Sequence, residues 1–296
     1  MCLAGGTGGA KLAAGLDAVL PAGNLTVVAN TADDEEFWGL LVCPDVDAVI
    51  YRLAGVFNEE AGYGQSGESF HALDAMARLG EPAWFRIGDK DLATHVVRAD
   101  RMRRGASLTE ATLELCRRFG LRSRVLPMSD QRVRTMCITD AGTFTLQEYF
   151  VREHLSPPLK AIELDGIESA AMSDAVVQAL VGAELVVIGP SNPLVSIDPI
   201  LAVAAGHLVP EKTVAVSPIV GGVALKGPTV EMMRALGLDP SPVEVARHYR
   251  EVSSVFILDE RDSKLAPEIE GLGYRVRIAD TVMADGGRAL AAFLLS

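Results

Sequence analysis

Apolar residues along the 296-residue chain follow two alternating rhythms. Short runs rich in apolar and β-branched residues at 25–29, 185–188, 213–216, 255–258 and 274–278 predict buried strands. Elsewhere apolar positions recur every three or four residues, as with Leu12, Leu16, Val19 and Leu20, which predicts helices packed on those strands. The opening reads as strand, glycine turn at residues 5–9, helix, a stop at Pro21-Ala22-Gly23-Asn24, and a second strand, making one βαβ unit. Pro44-Asp45-Val46-Asp47 opens a further helix, with Val46, Val49, Ile50 and Leu53 on one face. Residues 55–67 form a glycine-rich loop containing Tyr63. Residues 70–119 read as almost wholly helical, with a capping box at Ser107–Glu110 and a stop at Gly120. Residues 133–139 and 143–150 flank Asp140-Ala141-Gly142 and predict an antiparallel hairpin. The expected fold is α/β: a doubly wound, mainly parallel, Rossmann-like sheet. Its nucleotide-binding core would span residues 1–55 and 121–296, with a helical insertion at 56–120.

Composition narrows the function classes. The chain is 49% hydrophobic and 22% charged, which excludes disorder as its main state. A net charge of −12 repels nucleic acid, so a small anionic ligand would need backbone N–H groups, a metal ion or a few local cations. Cys2, Cys43, Cys116 and Cys137 have neither CxxC pairing nor zinc spacing, and read as buried free thiols in a reducing compartment. No apolar run approaches the ~20 residues of a membrane span. The expectation is a cytoplasmic protein with no membrane partner.

Ligands of open parallel sheets gather at the carboxyl ends of the strands. Five loops fall there: residues 5–9, 30–34, 189–193, 217–222 and 259–262, all rich in glycine, proline or acid. The glycine loop suits a diphosphate, because glycine lets backbone approach and the next helix offers free N–H groups. It lacks the third glycine of a dinucleotide fingerprint, and no Ser/Thr follows Lys11 as a Walker A loop requires. A tight turn without a ligand is the plain alternative. Asn30 stands where a nicotinamide enzyme places an acid for the ribose, which demotes hydride transfer. Asp33, Asp34, Asp45 and Asp47 are close in sequence with no His/Cys cluster beside them, and oxygen ligands suit Mg²⁺ or Mn²⁺. Asp45 and Asp47 can equally cap a helix. Lys90, between Asp89 and Asp91, can contact a ligand or merely sit at a helix start, and His95 reads as structural.

Eight ordered stretches carry a resemblance: A-G-G-T-G-G-A-K-L (4–12), V-V-A-N-T-A-D-D (27–34), C-P-D-V-D (43–47), G-D-K-D-L-A-T-H (88–95), L-P-M-S-D (126–130), G-P-S-N-P (189–193), S-P-I-V-G-G (217–222) and A-D-T-V-M (279–283). Together they resemble the 2-phospho-L-lactate transferase (CofD) family of coenzyme F-420 biosynthesis over essentially the whole chain. The resemblance implies that the ribityl hydroxyl of the deazaflavin Fo attacks the phosphorus of a guanosine-diphosphate-linked three-carbon acid. GMP leaves, with Mg²⁺ required. It implies Asp47 and Lys90 on Fo, and Asp34 and Asp45 as metal ligands or base. Gly6, Thr7, Gly8, Gly9, Ser191, Asn192 and Gly221 would lie around the guanosine diphosphate. Trp38, Tyr63 or Trp84 would offer a stacking wall. The donor acid, phospholactate, phosphoenolpyruvate or phosphoglycerate, is left open, and a homodimer is implied. The alternative is a non-catalytic nucleotide-sugar-binding regulator of the related gluconeogenesis-factor family.

Overall fold

A computed structural model describes residues 1–225 and 227–296. The first half runs β1 (Cys2–Ala4), α1 (Gly6–Val19), β2 (Thr26–Ala29), β3 (Glu35–Phe37), β4 (Leu40–Val42) and α2 (Pro44–Leu53). It continues through α3 (His71–Arg78), α4 (Asp89–Arg103), α5 (Leu108–Arg118), β5 (Arg124–Pro127), β6 (Arg134–Thr139) and β7 (Gly142–Thr145). Then come β8 (Leu159–Asp165), α6 (Asp174–Val181), β9 (Val186–Ile188), α7 (Asp198–Val203), β10 (Thr213–Val216), β11 (Ile219–Val220) and β12 (Val223–Ala224). The chain closes with α8 (Thr229–Ala235), α9 (Pro242–His248), β13 (Val255–Asp259), α10 (Ala266–Glu270), β14 (Arg275–Ala279) and α11 (Arg288–Leu294).

Seven strands form one parallel sheet in the order β14-β13-β10-β9-β1-β2-β5. Successive side chains point to opposite faces, and both faces are covered. Leu3, Val28, Leu126, Ile188, Ala215 and Phe256 join the core on one face; Cys2, Val27, Val125, Val187, Val214 and Val255 join the core on the other. Double burial is why these strands are rich in apolar residues. The chain order reverses beside β1, which lies between β2 and β9, and a crevice opens at the strand ends there.

Three expectations need correction. Residues 70–119 are not one helical stretch: residues 79–88, carrying Gly80, Pro82 and Gly88, separate α3 from α4. The second hairpin strand ends at Thr145, and residues 148–152 form a π-helical turn. The hairpin gains a third strand, β8, antiparallel to β6. The capping box at Ser107–Glu110 is present. α5 sends Leu108, Leu115 and Cys116 into the main core and leads directly to edge strand β5. All four cysteines are free and buried. Among the described residues, no helix is long and apolar enough to cross a membrane.

Candidate active site

The glycine loop and the loop after β9 lock together at the crevice. Gly5 donates its N–H to Ser191 Oγ at 3.1 Å, and that hydroxyl donates to the Gly5 carbonyl at 2.6 Å. A Cβ on Gly8 would lie 2.3 Å from the Pro190 carbonyl oxygen, and one on Gly9 would lie 2.4 Å from Ser191 Oγ. Both glycines are therefore required by the packing of α1 on the β9 loop, whatever binds there. Gly6 differs: its φ of +54° needs glycine, and its surroundings are open apart from Asp45. Among the described residues, the N–H groups of Thr7 and Gly8 have no acceptor outside their own helix and remain available at its positive end.

Carboxylates converge on this amide cradle. Asp45 accepts from Gly6 N–H at 2.6 Å and from Asn30 Nδ2 at 3.0 Å, so it does not cap its own helix. Asn30 also donates to the Val195 carbonyl at 3.2 Å and accepts from Ala32 N–H, tying three rim loops together. Asp33 accepts from Thr135 Oγ1 at 3.1 Å, and Thr135 N–H reaches the Ala32 carbonyl at 2.7 Å. The small sheet of β6, β7 and β8 thus pins the acidic loop. Asp34 is buried with Oδ1 unpartnered. Burial raises Asp33 and Asp34 well above the ordinary carboxylate range, and neighbouring carboxylates push the same way. Burial pushes Asp45 up to about 6, although its bonds to Asn30 and Gly6 favour the charged form.

Asp34 and Asp45 offer oxygen ligands of the kind a hard divalent cation takes, and Asp34 Oδ1 is buried without a hydrogen-bond partner among the described residues. The one group of acid and imidazole atoms within 4.8 Å of one another among the described residues is a different one, Asp47, Asp91 and His95, and there Arg98 already pairs with Asp47.

Lys90 and Asp47 part company. The Asp47 carboxylate is turned into the α2–α4 interface, while Lys90 Nζ donates to the Ser66 carbonyl at 2.6 Å near Gly67. Gly67 lines a cavity of about 310 Å³ shared with Tyr63, Glu68, Phe70, Arg86 and Asp91. Glu68 caps α4, accepting from Lys90 and Asp91 N–H at 2.8 and 2.9 Å. Thr7 Oγ1 reaches the Gly62 carbonyl at 3.4 Å, so the cavity loop abuts the glycine cradle. Of the aromatic candidates, Tyr63 faces this cavity; Trp38 and Trp84 pack with Phe37 and Ile87 in a separate small core. Asn192 accepts from Leu194 N–H and lies 3.6 Å from Met232 Sδ. Gly221 stands at the β11–β12 turn, its N–H held by Asp262 at 2.8 Å. Glu68 and Arg98 emerge only with the structure, and Asn30, read in the sequence as a missing acid, gains its place as the Asp45 partner only here. A buried helical spacing, 91-94-95-98, was the one available signal for Arg98.

The family model described as 2-phospho-L-lactate transferase CofD matches residues 1–285. The chain is 38% identical over 297 residues to a 2-phospho-L-lactate transferase of Methanosarcina acetivorans, covering 99% of this chain and 97% of that one. It is also 38% identical over 293 residues to a phosphoenolpyruvate transferase of Streptomyces avermitilis, covering 96% and 92%. A solved UPF0052-family protein of Bacillus halodurans superposes with a TM-score of 0.63 at 15% identity, over 100% of this chain and 98% of that one, which shows a shared fold. The chain belongs to the CofD family of transferases.

Proposed function

We propose that this chain joins the ribityl hydroxyl of the deazaflavin Fo to the phosphorus that bears a three-carbon acid in a guanosine-diphosphate-linked donor. The hydroxyl oxygen forms the new P–O bond, the bond to GMP breaks, and a carboxylate takes the hydroxyl proton. The reading rests on one juxtaposition above all. The buried Asp45 carboxylate meets the amide cradle at Gly6, and Thr7 ties that cradle to the loop of a 310 Å³ cavity.

In this reading Thr7 and Gly8 N–H groups receive the diphosphate, with Gly6, Gly9, Ser191 and Asn192 shaping its seat and Gly221 closing the far side. The cavity takes the deazaflavin, Tyr63 and Phe70 giving apolar walls and Lys90 a donor at its mouth. Asp34 and Asp45 would hold Mg²⁺, which when bound neutralises charge on the diphosphate oxygens. Whichever carboxylate oxygen of Asp34 and Asp45 the metal leaves free accepts the hydroxyl proton. Asp47 stands behind them and keeps the α2 turn in place. Alignment of hydroxyl and phosphorus is the protein's main contribution. Function in the cytoplasm and as a homodimer belongs to the same proposal.

The test is incubation with Fo, Mg²⁺ and each of the three guanosine-diphosphate-linked acids, with mass spectrometry of the products. A phosphodiester plus GMP from at least one donor is expected. No product from any of them, together with thermal stabilisation by UDP-sugars alone, would replace this reading with the regulator. Asp34→Asn should lower kcat by roughly 10²-fold or more while GDP still binds.

A further inference from the structure

One face of α4 carries Asp91, Thr94, His95 and Arg98, all buried, opposite Asp47 and Tyr51 of α2. Arg98 has no solvent exposure and is the largest side chain so enclosed among the described residues. Its Nη2 donates to Asp47 Oδ1, and its Nη1 donates to the Leu41 carbonyl of β4 at 3.2 Å. The same Nη1 lies 3.3 Å from His95 Nδ1. The same Nδ1 lies 3.6 Å from Asp47 Oδ2, so the imidazole stands between the two acids, Asp47 and Asp91. Nε2 faces Asp91 Oδ1 at 3.5 Å, and Asp91 also takes the Tyr51 hydroxyl at 2.6 Å. Asp91 lines the 310 Å³ cavity. An unbroken series of contacts therefore runs from the cavity wall through Asp91, His95 and Arg98 to Asp47, two residues from Asp45 in the first turn of α2.

Stability alone does not call for this arrangement. An apolar side chain of similar volume would avoid the desolvation that a wholly buried guanidinium suffers, and such replacements are often neutral or stabilising. What an apolar side chain cannot do is hold a carboxylate, an imidazole and a hairpin carbonyl in fixed directions at once. We propose that Arg98 is a positioning residue: it fixes the α2 turn that carries Asp45 and Asp47, and links it through His95 and Asp91 to the acceptor cavity. This rests on reading that cavity as the deazaflavin site.

The test uses the full chain with Arg98→Lys and Arg98→Met, plus Asp91→Asn alone and combined with Arg98→Lys. Fo binding is followed by its own fluorescence without metal or donor, and turnover is followed separately. For Arg98→Met, kcat should fall by roughly 10–100-fold, the scale of a small misplacement of reacting groups. Fo affinity should change no more than about threefold, because Arg98 does not touch the cavity. Lys keeps the charge but not the fork, so it should rescue part of kcat, and this variant serves if Met does not fold. The Asp91→Asn loss in kcat should shrink in the Arg98→Lys background, as coupled positions require. Wild-type protein that turns over while Arg98→Lys matches it, or a double variant that is simply additive, overturns the link. Wild-type protein that fails to bind Fo overturns the cavity reading itself, and the link falls with it.

Discussion

Asp45 is where charge and geometry press hardest on a single side chain. Its carboxyl, ordinarily near 3.8, titrates at about 6 because burial opposes ionisation. The folded chain thus holds this proton more tightly than the unfolded one. The stability this contributes is fully present below the ordinary carboxylate range and is lost as pH rises through 6. Asp33 and Asp34 are shifted the same way and add to that loss. Urea midpoints of the metal-free protein should therefore fall as pH rises from about 3.5 to 6.5, with Asp45 accounting for up to ~3 kcal/mol. Asp45→Asn should flatten that slope; an unchanged slope would mean the carboxyl does not titrate there. The acids themselves were legible in sequence as four aspartates close together. Their partners were not, because Asn30 and Thr135 reach them only after distant segments fold together.

At the scale of elements, the glycine loop shows how one motif can carry two constraints. Gly6 needs its backbone conformation, while Gly8 and Gly9 need the missing Cβ, against Pro190 and Ser191. Gly6→Ala should cost about 1–2 kcal/mol of left-handed strain. Gly8→Ala forces a contact with backbone and should cost about 2 kcal/mol or more, with α1 displaced from the β9 loop. Chemical denaturation of the two variants, with GDP titrations on each, would check the order. If both lose equally little stability, the close approach at Pro190 is relieved by local movement. From sequence alone, all these glycines look like phosphate ligands, since close packing of helix on loop leaves no separate mark. The strands were easier. Six of the seven in the main sheet carry readable apolar character, whereas β5, Arg-Val-Leu-Pro, is too short and too polar at its start to announce itself.

Across the whole molecule, the β1 switch point gathers what the sequence scatters. Asp259 at the end of β13 accepts from both Thr281 N–H and Oγ1, at 2.9 and 3.0 Å, and Asp262 holds Gly221. These ties keep the far rim loops in place without reaching the carboxylate cluster. A rim assembled from so many separated segments should stiffen when its ligand arrives. GDP with Mg²⁺ at about 100 times the dissociation constant should stabilise the fold by ~2.7 kcal/mol, seen as a rise in Tm, while GDP in chelator should do far less. Equal rises with and without chelator would remove the metal from nucleotide binding.

The short bond between Asp45 and the Gly6 amide bears on the proposed function. A lone phosphate would have to displace a resident anion and then endure its neighbourhood, so simple anions would bind poorly there. A guest that brings compensating positive charge would give that carboxylate somewhere better to go. On the proposed function, selectivity would begin before any part of the nucleotide base is read.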